Sequence, residues 1–311
     1  MEKKSLRMAY GEALVEFGKT HPDVVVLEAD LGKSTMSCLF KEAYPERYFE
    51  MGIAEQNMAT TAAGLALAGK IPFYSTFAVF AVGRAYDQIR CGIAIPEANV
   101  RICGSSCGLS DFGDGKTHQS IEDANIMCTI PNMTVLNPVD AVETRKMVKA
   151  MLTHQGPVYI RINRNDLPVY TPVDTDYEIG KMYRIREGHD VAIFATGAMV
   201  WKSMLAADLL QAAGISAEVI NVSSLKPLKK EEILKYVAGK KAIVTADEAT
   251  RIGGLGSAIA SLIIGEVNLP FAQIAINDQF GTSAYTYEEL LERYGLTENH
   301  IAAAARKALG K

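Results

Sequence analysis

Gly52-Ile53-Ala54-Glu55-Gln56-Asn57-Met58 sets one acidic residue into an otherwise uncharged run, and Ala59-Thr60-Thr61-Ala62-Ala63-Gly64-Leu65-Ala66-Leu67-Ala68-Gly69 follows it directly. The second string reads as a helix of small side chains that can approach its neighbours closely. A carboxyl just ahead of it enters a crowded, partly dry environment. Burying an ionised carboxylate without a partner costs several kcal/mol, so Glu55 has to be neutral or hydrogen-bonded to a specific group. Glu55 is therefore a candidate acid–base residue and not a solubilising one.

Outward from this stretch, apolar runs alternate with helical patterns. Residues 5–19 predict an amphipathic helix through Leu6, Ala9, Ala13, Leu14 and Phe17, and Val24-Val25-Val26-Leu27 predicts a buried strand running into Glu28-Ala29-Asp30. Further strands are expected at 71–74, 100–103, 133–136 and 158–162, with helices over 82–95 and 141–153. Strands that are apolar throughout and alternate with helices argue for a mostly parallel sheet covered on both faces. Residues 166–174 lack periodicity and separate two halves. After them, strands at 191–197, 217–222 and 241–247 alternate with helices at 200–213 and 253–264. The expected fold class is α/β, with two doubly wound domains over residues 1–177 and 178–311.

The chain has 311 residues, 49% hydrophobic and 22% charged, with net charge −4, which describes an ordinary globular protein. The mild acidity and the lack of long Lys/Arg blocks argue against a nucleic-acid surface. The N-terminus lacks an apolar signal core, and no apolar run is long enough for a membrane span, so a cytoplasmic protein is expected. Five cysteines, Cys38, Cys91, Cys103, Cys107 and Cys128, fit reduced thiols there. Cys103 and Cys107 lack a second pair or a nearby His to complete a zinc set, and no metal site is expected in this chain. Dinucleotide, P-loop and nucleophile-elbow motifs are all missing.

Ligands of doubly wound sheets gather beyond the carboxyl ends of strands. That points to Asp30, Ser34, Ser75, Thr76, Ser105, Ser106 and the loop 110–119. Phe77 and Phe80, three apart, can present one aromatic face to a flat ring, with core packing as the competing reading. The loop 104–119 holds more glycines than a plain connection needs, which suggests close backbone approach to a ligand. His118 within it can hydrogen-bond or move a proton near neutral pH, although a lone His is more often structural.

Taken together, Gly52–Met58, Ser75-Thr76-Phe77, Ala85-Tyr86-Asp87-Gln88-Ile89-Arg90 and Asp114-Gly115-Lys116-Thr117-His118-Gln119 resemble the transketolase family in order and spacing. The resemblance covers nearly the whole chain, a pyrimidine-binding domain followed by the family's C-terminal domain. It implies a C-terminal subunit of a split transketolase that moves a two-carbon ketol unit between sugar phosphates. Thiamine diphosphate would be shared with a separate N-terminal subunit, which would also bind the Mg²⁺ or Ca²⁺ and without which this chain is inactive. An assembly of two copies of each subunit is expected, with a homodimer of this chain as an alternative.

Carried over from that resemblance, Glu55 bonds the aminopyrimidine nitrogen, Phe77 and Phe80 enclose the ring, and His118 lies beside the reacting carbon. Asp114 reads a sugar hydroxyl, Asp30 lies near the thiazolium, and Arg7, Ser34 and Arg164 hold the sugar phosphate. Gly113-Asp114-Gly115 imitates the start of the family's metal motif, but Lys116-Thr117-His118-Gln119 breaks the pattern, so Asp114 is not read as a metal ligand. Three departures stand out: Ser106 replaces a His, Lys116 replaces a Pro, and Gly83 replaces a third aromatic. Lys116 could supply the positive charge lost at Ser106. The runner-up is the β subunit of a 2-oxoacid dehydrogenase, with a deoxyxylulose-phosphate synthase-like enzyme and a non-catalytic regulatory relative behind it.

Overall fold

In the computed structural model, which describes residues 2–311, β1 (Lys3–Ser5) leads into α1 (Leu6–Gly18). Ser5 caps α1 by accepting a hydrogen bond from the Met8 amide at 3.3 Å, and Tyr10, Ala13, Leu14 and Phe17 form its buried stripe. The chain continues through β2 (Val24–Glu28), α2 (Gly32–Thr35), α3 (Cys38–Ala43), β3 (Tyr48–Glu50), α4 (Glu55–Leu67) and β4 (Ile71–Phe77). Two wide helical turns of the i→i+5 kind, Phe80–Arg84 and Ile89–Ala94, then flank α5 (Tyr86–Gln88). This interrupts the single helix expected over 82–95. Such turns widen a helix and re-aim its side chains, and they are common at functional sites. The half closes with β5 (Arg101–Ser105), α6 (Asp123–Thr129), β6 (Thr134–Leu136), α7 (Ala141–Thr153), β7 (Val158–Ile162) and β8 (Asp166–Pro168).

The second half runs β9 (Tyr183–Arg186), β10 (Val191–Ala195), α8 (Ala198–Ala212), β11 (Ala217–Asn221), β12 (Ser224–Lys226) and α9 (Lys230–Val237). It ends with β13 (Ala242–Thr250), α10 (Leu255–Ile263), β14 (Phe271–Ile276), α11 (Tyr287–Arg293) and α12 (Glu298–Ala308). No helix among the described residues is long and apolar enough to cross a membrane.

Two α/β sheets result. The first has the order β12-β6-β7-β5-β4-β2-β3, parallel except for β12, and the second the order β14-β13-β10-β11-β9, parallel except for β9. Strand β12 comes from the second half yet pairs with β6, so the two halves share a sheet edge. Residues 166–168, which lack periodicity, pair antiparallel with β1 from Lys3↔Pro168 to Ser5↔Asp166. A three-residue strand ending in Pro is too short to show alternation. In the first sheet, β3 and β4 lie on opposite sides of β2, so connections diverge there and open a crevice at the carboxyl ends.

Helix α7 begins with a reciprocal cap. Asp140 accepts from the Glu143 amide at 2.9 Å, and Glu143 accepts from the Val139 amide at 2.7 Å. The second oxygen of Asp140 also accepts from the Tyr170 and Thr171 amides, both at 2.7 Å, fastening the segment between the halves. Asp140→Ala therefore strips a cap and two further buried bonds, and a loss of roughly 2–4 kcal/mol is expected in denaturant unfolding.

Candidate functional site

Contacts gather most of the residues singled out in the sequence into two groups. In the first, Glu55 is the first residue of α4 and only 1% exposed. Its two oxygens lie 2.9 Å from Nη1 of Arg84, and the positive end of α4 adds to the charge stabilisation. The carboxyl is thus buried with a partner. That partner is a guanidinium that the sequence pattern does not single out, delivered by the wide turn Phe80–Arg84. The Arg84 side chain is 45% exposed and its guanidinium sits 4.7 Å from the Phe80 ring centre.

Phe77 ends β4 and Phe80 opens the wide turn, with ring centres 6.3 Å apart and planes 16° from parallel. The His118 ring stands edge-on to both, 6.2 Å from Phe77 and 5.4 Å from Phe80. His118 also shares a hydrogen bond of 3.0 Å with the Thr117 hydroxyl through Nδ1. At Gly83, where an aromatic was looked for, an added Cβ would meet nothing within 4 Å. The result is a buried carboxylate, two near-parallel phenyl rings and an imidazole edge, a combination suited to a flat heteroaromatic ring.

In the second group, Nη1 of Arg7 donates to the Ser34 carbonyl at 2.8 Å, so Ser34 contributes its backbone and not its hydroxyl to that contact. Burial, and next the nearby Arg164 guanidinium, hold the Arg7 pKa below its usual value, which places two like charges close together. Arg164 pairs with Asp111 at 2.7 Å and lies 3.8 Å from Asp114. Asp111, which no sequence motif marks as a site residue, is 2% exposed, and burial raises its pKa. Asp114 itself is exposed, as is Lys116, and no group of three or more His, Cys, Asp or Glu among the described residues is gathered as a metal would require. Ser106 is fully buried, sits in the left-handed region at φ 54°, and its hydroxyl has no partner.

Asp30 adjoins the second group on the side of Ser34. It occupies an exposed turn at φ 60°, lining the same surface cleft as Ser34, and its amide donates to Glu50 at 2.8 Å. The same Glu50 oxygen accepts from the Gly52 amide at 3.1 Å, so one unpredicted carboxylate ties the Asp30 turn to the segment leading into Glu55. Below them Glu28 is buried and accepts from the Thr35 and Ser37 hydroxyls at 2.7 and 2.5 Å. Burial pushes its carboxyl from the usual 4.5 up to about 7. The folded chain therefore keeps this proton where the unfolded chain releases it, and stability falls as pH rises through that window. Between about pH 5 and about pH 8 the wild-type chain should lose roughly 3 kcal/mol more than Glu28→Gln, as read from unfolding midpoints.

Comparison with known proteins shows the family of the chain. Residues 2–169 match the family model described as "Transketolase, pyrimidine binding domain", and residues 180–301 match "Transketolase, C-terminal domain". A Methanocaldococcus jannaschii protein assigned as a transketolase C-terminal section is 40% identical over 311 residues, covering 99% of this chain and 97% of the relative. A subunit of a 6-deoxy-6-sulfo-D-fructose transketolase from a Clostridium species is 39% identical, covering 99% and 95%. Human transketolase is 34% identical, and this chain spans 50% of its length. Among solved structures, a split-gene transketolase described as an inactive β4 tetramer superposes with a TM-score of 0.90 at 45% identity over 99% of each chain.

Proposed function

Since the chain belongs to the transketolase family, we propose that it is the C-terminal subunit of a two-subunit transketolase. In this reading it transfers a two-carbon ketol unit from a ketose to an aldose, both carrying a terminal anion, and works only when joined to an N-terminal subunit. The observation that carries the reading is the buried Glu55 carboxylate, joined through Arg84 to the Phe80 ring, which pairs with Phe77 and meets the His118 edge. These residues fit the pyrimidine end of thiamine diphosphate. When bound, that group supplies the electron sink for breaking a carbon–carbon bond next to a carbonyl. The partner subunit would hold its diphosphate and the Mg²⁺ or Ca²⁺.

Each of this chain's residues then has a stated task. Glu55 holds a ring nitrogen and governs its proton. Phe77 and Phe80 exclude water from the ring faces. His118 donates to, or takes a proton from, an oxygen at the reacting end, and Asp114 accepts from a neighbouring sugar hydroxyl. Asp30 faces the other heterocycle from its exposed turn. Arg7, Arg164 and the Ser34 backbone orient the terminal anion.

Association has material support in exposed apolar side chains: Ile53 at 74%, just ahead of α4, Leu67 at 70%, its last residue, and Ile95 at 64%, just after the second wide turn. An α2β2 assembly would cover them. The five unpaired thiols suit a reducing, cytoplasmic setting. The test is to co-produce this chain with an N-terminal subunit, add thiamine diphosphate and Mg²⁺, and follow transfer from xylulose 5-phosphate to ribose 5-phosphate. Oxidative decarboxylation of pyruvate in place of transfer would move the assignment to a 2-oxoacid dehydrogenase.

A further inference from the structure

The loop that carries Asp111, Asp114 and His118 is held partly by the second half of the chain, and the proposed function leaves those holding groups without a task. Glu248, near the end of β13, is 4% exposed and points its carboxylate into the loop's base. One oxygen accepts from the Leu109 amide at 2.7 Å, and the other accepts from the Tyr287 hydroxyl at 2.6 Å and from Nδ2 of Asn163 at 3.3 Å. The carboxylate lies so close that a Cβ on Gly108, itself at φ 61°, would come within 2.6 Å of its carbon. Glycine is required there because the carboxylate is.

The far end of the loop is gripped as well. Nε2 of Gln119 donates to the Asp111 carbonyl at 3.1 Å and to the Thr282 carbonyl at 3.0 Å, and the Ala284 amide donates to the Phe112 carbonyl at 2.8 Å. A Cβ on Gly115 would strike the Ser283 hydroxyl at 2.3 Å, and one on Gly281 would strike the Gln119 side-chain oxygen at 1.9 Å. Loop and wall are therefore in contact at backbone distance along residues 108–119. A loop rich in glycine would otherwise have wide conformational freedom.

We propose that Glu248 is a positioning residue: through the Leu109 amide it fixes the loop that sets His118 against the paired Phe rings and Asp114 beside Arg164, which gives the C-terminal half a role in catalysis. The part of this that concerns rate rests on the transketolase reading, whereas the part that concerns loop order does not. Glu248→Gln is the conservative variant for the loop bond, because its one carbonyl oxygen can still accept from the Leu109 amide.

Hydrogen exchange on the chain alone tests the clasp. In Glu248→Ala, amides 108–118 should exchange roughly tenfold faster or more, with exchange in β7 and α7 unchanged, and Glu248→Gln should restore protection. If Glu248→Ala fails to fold, Glu248→Asp serves, because it keeps the carboxyl and draws it back by about 1.5 Å. In the assembled enzyme the same variants should lower kcat roughly 10- to 100-fold with KM for the cofactor little changed, again with rescue by Gln. Unchanged loop exchange in the folded variants overturns the proposal whatever the reaction is. A melting temperature that drops while kcat stays normal overturns it too, since that is what a merely structural group would give.

Discussion

Glu55→Ala is expected to lower ketol transfer by roughly 10³-fold or more, while subunit assembly and overall fold persist. The size of the effect follows from what the site offers in its place. Among the site carboxylates Glu55 is the one joined through Arg84 to the Phe80 ring, and Asp111 and Asp114 lie with Arg164. No second acid stands ready to govern the same proton. Persistence of the fold follows from the asymmetry of the ion pair. Glu55 is buried, but the Arg84 side chain is 45% exposed, so deleting the carboxyl leaves a guanidinium that water can reach. Breaking a pair costs most when the survivor is buried, and that is not the case here. Glu55→Gln keeps the shape and loses the titratable proton, so it should fall nearly as far as Ala. The measurement sets activity beside unfolding midpoint and subunit association: normal turnover in either variant removes Glu55 from the mechanism, and loss of assembly would make it structural.

The sequence made the side of the site proposed for the pyrimidine legible because its chemistry is packed into short strings. Glu55 leads a run of small residues, Phe77 and Phe80 follow a strand, and His118 lies in a loop with surplus glycine. Its pairing partners were not legible, because each reaches across the chain. Arg84 meets Glu55 over 29 positions, Asp111 meets Arg164 over 53, and Glu248 meets Leu109 over 139. Spacing rules describe neighbours on one helix or strand and say nothing about such contacts. The wide turns after β4 were missed for a related reason. Residues 82–95 have a helical pattern, and what separates an i→i+5 turn from an ordinary one is a single extra residue. Strand β4 also runs on to Phe77 where the apolar signal stops at Tyr74, because Ser75 and Thr76 are polar yet fully buried. Sequence periodicity reads polarity as exposure, and at a binding crevice that equation fails. Strand β14 escaped notice as an edge strand that is mostly half-buried, and it carries little of the continuous apolar signal of its neighbour β13.

Arg7→Ala is expected to lower kcat/KM for a phosphorylated donor by roughly 100-fold, mainly through KM, and to leave an uncharged sugar of the same length nearly unaffected. The two guanidinium groups near Ser34 differ in how far they are already neutralised. Arg164 is paired with Asp111 at 2.7 Å and lies near Asp114 as well, so part of its charge is taken up within the protein. Arg7 gives one hydrogen to the Ser34 carbonyl and keeps its Nε buried without a partner. A buried donor left unmade is costly, and the neighbouring Arg164 adds repulsion. An incoming anion relieves both at once. That makes Arg7 the cleaner probe, because Arg164→Ala would also strand the buried Asp111. Arg7→Ala should therefore penalise the phosphorylated sugar and spare the neutral one. Equal losses on the neutral sugar would show that Arg7 holds α1 to the Ser34 loop and nothing more, and the anion would then have to be bound elsewhere in the crevice.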